Sequence, residues 1–134
     1  MNSTKRIFVA VDDRFLAETI GNGKERIVYA APGVGEHSAR ALVDAINRLS
    51  GQVTIILDAD PEVCRIGYGD PKALQILHHS ACEQQLPLRR QAGLRIGVLV
   101  ADDLVVAWSP IARSVEQERL SKQPNGLVLD GTPA

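Results

Sequence analysis

Asp58 and Asp60 follow the apolar run Val53–Leu57, with Glu62 two residues further on. In open α/β sheets ligands gather beyond the carboxyl ends of strands, and an Asp-x-Asp pair there could hold magnesium for phosphoryl transfer. The plainer role for these acids is to close the strand end and cap the turn that begins at Pro61. Cys64, His78, His79 and Cys82 invite a metal test. His79 and Cys82 stand at i, i+3 and His78 and Cys82 at i, i+4, but the adjacent histidines cannot both converge on the cysteine. Zinc sites more often present Cys-x2-Cys or His-x3-His pairs, and Cys64 in a loop completes the set poorly. We expect no metal and no cofactor here, and Cys82 as a small buried hydrophobe.

Ser38, Ser80 and Cys64 are possible nucleophiles, and each would need a base and an orienting partner. His37 precedes Ser38, but neighbours on a helix point in different directions. No Gly-x-Ser-x-Gly elbow is present, so no hydrolase triad is supported. Pro32-Gly33-Val34-Gly35 lies where free amides and a helix dipole attract anions. The third glycine of a dinucleotide fingerprint is replaced by Ser38, and no Gly-Lys-Ser/Thr follows. This segment reads as a structural turn.

The segment Leu94–Ser109 carries the remaining candidates, Arg95, Asp102 and Ser109. An arginine fork with a neighbouring hydroxyl can hold a phosphate through two hydrogen bonds. The plainer reading has Arg95 as the solvent-facing residue of a hairpin strand and Asp102 and Asp103 as turn residues. Trp108 is a candidate interface anchor, because tryptophan is enriched at such positions, although it is more often core.

The elements that must position these residues follow from periodicity. Ile7–Val11 is a short apolar strand, and Asp12 or Asp13 caps a helix through Ile20 that ends at Gly21-Asn22-Gly23. Arg26–Ala31 is a strand stopped by Pro32. Ala39, Leu42, Val43, Ile46 and Leu49 share one face of a helix over Glu36–Leu49, and Gly51 ends it. Val53–Leu57 is apolar on both faces, as a central parallel strand would be, which makes a βαβ unit. Residues 59–70 read as loop with one helical turn. A helix follows over 71–83, capped by Asp70 and started by Pro71. Leu86–Arg90 is a short strand, and Leu94–Val100 and Leu104–Trp108 form a hairpin about Ala101-Asp102-Asp103. Residues 112–122 are helix-compatible, Leu127–Leu129 is a last strand, and 130–134 resemble a linker to a further domain.

The whole is 134 residues, enough for one domain with its own core. Fifteen basic against sixteen acidic residues give a net charge of -1, and aromatics make up 4%. Both argue against a nucleic-acid partner, whether through a basic surface or a stacking platform. Two cysteines argue against a disulfide scaffold and for a reducing, cytoplasmic setting. No stretch approaches the roughly 20 apolar residues of a membrane span.

The order of elements, with Ile-Val-Tyr-Ala-Ala-Pro before a crossover helix, Val-Thr-Ile-Ile-Leu-Asp after it and a late hairpin, resembles one half of a phospholipase D-like domain. The resemblance spans about residues 12 to 112 and implies an α/β fold: a mixed sheet flanked by helices on both faces. Active members of that superfamily carry His-x-Lys-x4-Asp on the hairpin, with Gly-Ser some six residues on. Here Arg95 takes the histidine position, Gly97 the lysine, Asp102 the aspartate, Trp108 the glycine and Ser109 the serine. Arginine stays protonated and cannot attack phosphorus, and glycine offers no charge to stabilise the phosphoryl oxygens. The resemblance therefore implies a catalytically degenerate domain used for binding, regulation or assembly. Because active members pair two halves across a cleft, it also implies a homodimer or a neighbouring domain. Arg95, Asp102 and Ser109 would be a vestigial site for a phosphate-containing ligand. The competing expectation is a phosphodiester or phosphoryl-transfer hydrolase that works through Asp58, Asp60 and a metal.

Overall fold

The computed structural model describes residues 5–58, 60–111 and 123–131. The chain runs β1 (Lys5–Val9), α1 (Asp13–Gly21), β2 (Ile27–Ala31), α2 (Glu36–Leu49), β3 (Val53–Leu57), α3 (Glu62–Arg65), α4 (Pro71–Glu83), β4 (Arg89–Arg90), β5 (Gly97–Ala101), β6 (Leu104–Trp108) and β7 (Gly126–Asp130). The strands form one seven-stranded sheet in the order β1-β7-β6-β5-β2-β3-β4. β2, β3 and β4 are parallel, whereas β2 to β5 and every pairing from there out to β1 are antiparallel. This is the mixed α/β sheet that the resemblance implies.

Alternation decides which side of the sheet is dry. Ile27, Tyr29 and Ala31 of β2, Val53, Ile55 and Leu57 of β3, and Leu99 and Ala101 of β5 are buried, while their neighbours along each strand are half-buried. Leu16 and Ile20 of α1, Ala39, Leu42 and Ile46 of α2, and Ala73 and Leu77 of α4 join them in a single core. Those spacings are helical, so each helix lays one stripe on the sheet. Fully burying a Leu or Ile in that layer contributes about 1.5–3 kcal/mol.

The elements expected at Glu36–Leu49, Val53–Leu57, residues 71–83 and Leu104–Trp108 form with those bounds. Asp12 caps α1 by accepting the Phe15 amide, and Asp70 caps α4 by accepting that of Lys72. Other bounds shift. β1 spans Lys5–Val9 rather than Ile7–Val11, and β5 starts at Gly97, so Arg95 precedes the strand instead of lying on it. Asp130, expected in a terminal linker, is the last residue of β7, and the Gly131 amide donates to the Asp103 carbonyl at 3.1 Å. The helix expected over residues 112–122 lies outside the described residues. No described helix is long and apolar enough to cross a membrane.

Candidate functional site

A cleft of about 840 Å³ opens at the carboxyl end of β2, lined in part by Asp13, Tyr29, Gly35, His37, Tyr68 and Trp108. Three helices begin on its walls. A helix N-terminus leaves amides without intrahelical partners and carries a partial positive charge, so three together would attract an anion. The chain supplies that anion itself. Asp12 takes an α1 amide and Asp70 an α4 amide, while the Asp13 carboxylate crosses to α2. It accepts the amides of His37 at 2.7 Å and Ser38 at 3.0 Å. Gly35 makes room for it, since a Cβ there would stand 2.6 Å from Asp13 Cγ. The Pro32–Gly35 turn is thus structural, and the α2 amides are occupied by an internal carboxylate.

The hairpin shows what stands at the two departing motif positions. Gly97 and Trp108 are direct partners across the β5–β6 ladder. A Cβ built on Gly97 would fall within van der Waals distance of the Trp108 indole, so the ring fills the space of a residue-97 side chain. Trp108 is 9% exposed, and its ring lies tilted against Tyr29 with centroids 6.1 Å apart. The ring of Trp108, a candidate interface anchor in the sequence, packs in the core and also forms part of the cleft wall. Tyr29 donates its hydroxyl to the Gly33 carbonyl at 2.9 Å, and burial pushes its pKa up.

Arg95 is anchored to Asp58. Its guanidinium donates to Asp58 Oδ2 at 2.7 Å and stacks over the Tyr68 ring at 5.3 Å. Asp58 also accepts the amides of Asp60 at 3.0 Å and Gly93 at 2.9 Å. Its side chain is 2% exposed. The Arg95 hydrogen bond, then the Asp60 amide, hold its carboxyl below the ordinary range against the opposing effect of burial. Asp60 in turn accepts the Glu62 amide. Both carboxylates proposed for magnesium are engaged in ordering the β3 exit. Among the described residues no group of three or more His, Cys, Asp or Glu is placed to hold a metal.

Asp102 stands at the opposite end of β5 from Arg95, so the hairpin does not gather Arg95, Asp102 and Ser109 into one pocket. Asp102 adopts a left-handed backbone with φ 56°, which aspartate tolerates better than most residues. Its carboxylate accepts the amides of Lys24, Glu25 and Arg26 at 2.7–3.1 Å. These bonds, led by that from Lys24, lower its pKa although partial burial opposes them. Asp102 thereby ties the hairpin turn to the loop before β2. Ser109 is exposed, and its backbone is paired with Asn125.

Sequence reasoning missed Asn125, which it placed in a turn. Its amide group bonds both Val11 N–H and Val11 C=O, 114 positions away, at 2.7 and 3.2 Å. No local pattern signals a contact of that separation. Cys82 is exposed rather than buried, with its sulfur 3.8 Å from His78 Nδ1, while His79 pairs with Glu83. The histidines thus face different partners. Cys64 is part-buried, and burial raises its thiol pKa.

No protein-family model matches the sequence, and no curated protein matches it. Solved structures share its fold, and two of them are informative. The phospholipase D family member Nuc from Salmonella typhimurium superposes with a TM-score of 0.58 at 17% identity, over 96% of this chain and 82% of that one. TrmBL2, an archaeal chromatin protein whose structure shows a novel mode of DNA binding, superposes with a TM-score of 0.56 at 15% identity. That match covers 98% of this chain and 46% of TrmBL2, so the chain spans about half the length of that neighbour. The fold is phospholipase D-like. Since one neighbour with this fold binds DNA, composition alone is no ground for setting a nucleic-acid partner aside.

Proposed function

We propose that this chain is a catalytically degenerate phospholipase D-like domain, a binding and assembly module rather than a phosphodiesterase. The observation that carries the reading is the Gly97–Trp108 pair. Where the resemblance expects a lysine beside a glycine, the strands hold a glycine beside a tryptophan. The charge that would stabilise phosphoryl oxygens is replaced by an apolar ring, and the arginine at the histidine position is bound to Asp58. Arginine cannot serve as the nucleophile, and neither glycine nor tryptophan supplies a charge at the lysine position.

The competing metal-dependent hydrolase would need Asp58 to exchange a guanidinium and two amides for a cation in a buried setting. Turnover of bis(p-nitrophenyl) phosphate, with and without magnesium, separates the two readings. No release above background in either condition is expected. Magnesium-dependent release that is lost in Asp58→Asn would overturn the degenerate reading.

A further inference from the structure

The cleft at the carboxyl end of β2 carries a charge opposite to that of a phosphate site. Asp12, Asp13, Glu36 and Asp70 line it, and against them Arg14 is the one lysine or arginine among its described lining residues. These side chains leave an excess of three negative charges. A helix start carries roughly half a positive charge, so the starts of α1, α2 and α4 offset only about half of that excess. Capping does not consume the carboxylates either. Asp12 spends one oxygen on the Phe15 amide and Asp70 one on the Lys72 amide, whereas a carboxylate can accept about four hydrogen bonds. Arg95, stacked on Tyr68, adds no net charge because Asp58 balances it.

The remainder of the lining is aromatic. Aromatics make up only 4% of the chain, yet both tyrosines and the single tryptophan stand on this cleft. Its volume of about 840 Å³ suits a small molecule, and such sites pair an apolar wall with a few polar groups. We propose that the cleft binds a small organic cation, an ammonium group carried on an aromatic body. This deepens the binding reading above, rests on it, and names the class of ligand. The acidic lining draws the ammonium group, and the body packs against Tyr68 and the Trp108 wall, where aromatic rings also favour a cation. Phosphate is refused by the same charges, and the α2 amides that would receive it are held by Asp13.

Thermal midpoints with phenethylammonium chloride and with sodium phenylacetate, at matched ionic strength, test the inference. Millimolar concentrations are appropriate, because so small a ligand has little surface with which to bind. Phenethylammonium is expected to raise the midpoint of the parent, and phenylacetate, similar in shape but opposite in charge, to leave it unchanged. In the double variant Asp12→Asn/Asp70→Asn both caps persist, since asparagine caps as well as aspartate, but two charges leave the lining. Its midpoint without ligand should stay near the parent's, while its calorimetric affinity for phenethylammonium should fall at least about fivefold. Tyr68→Ala, which touches no cap, should weaken the same probe. No shift with phenethylammonium, equal shifts with both probes, or undiminished affinity in either variant overturns the inference. Failure of the degenerate reading shows elsewhere, as phosphodiester turnover with the ammonium response intact.

Discussion

Trp108 lies over Gly97, and the indole occupies the volume into which any side chain at position 97 would project. The two positions are coupled by contact. Gly97→Ala forces the ring from its seat against Tyr29 and should cost about 1–3 kcal/mol in urea unfolding. Trp108→Ala should cost about 3–5 kcal/mol on its own. The pair should be strongly non-additive, with Gly97→Ala almost harmless once the indole is gone. Additive losses in the double-mutant cycle would show that the ring does not depend on the glycine.

Asp58 and Asp102 both have lowered pKa values in the folded chain, Asp58 chiefly through Arg95 and Asp102 chiefly through the Lys24 amide. Unfolded aspartate titrates near pH 3.9, so the unfolded chain binds these protons first as acid is added. Their stabilisation is therefore complete above that value and is lost as pH falls through the folded pKa values. Asp102→Asn keeps an acceptor for the loop amides and suits the left-handed backbone, but it removes the charge. The acid limb of its stability curve should be shallower than the parent's, as measured by urea midpoints at several pH values. An unchanged slope would mean that Asp102 does not contribute to the limb.

Removing Asp13 should expose the α2 N-terminus. Asp13→Ala leaves the amides of His37 and Ser38 without their carboxylate and should cost about 1–2 kcal/mol. The vacated position should then accept inorganic phosphate or sulfate, which would raise the thermal midpoint of the variant and not of the parent. Equal responses of the two proteins to phosphate would refute the internal-anion account.

Arg95→Ala should destabilise by about 1–3 kcal/mol, because it leaves the buried Asp58 carboxylate with backbone partners alone. Its effect on phosphate affinity by calorimetry should be nil, since the guanidinium is already bound within the chain. A drop in affinity would return Arg95 to the ligand-binding role that the hairpin motif suggests.

Much of the fold was legible in local pattern. α2 is a long amphipathic stretch ending at glycine, and α4 carries its Asp-Pro start, so both formed where periodicity put them. The site was less legible because its contacts are distant in sequence. Asp58 meets Arg95 across 37 positions, and Asp13 meets Ser38 across 25. Spacing rules speak for neighbours within a turn or along a strand, and neither contact is of that kind. The hairpin alignment set Gly97 and Trp108 at their motif positions, but only the cross-strand register reveals that they fill one volume.

Among the described residues β1 joins the sheet through β7, and Asn125 locks the exit of β1 to the entry of β7. During synthesis β1 must therefore be held in reserve until β7, more than a hundred residues further on, has been made. During that interval Ile7 and Phe8 have no native partner. β1 is then a segment in need of protection during synthesis, and its docking on β7 is a late, non-local step in building the sheet.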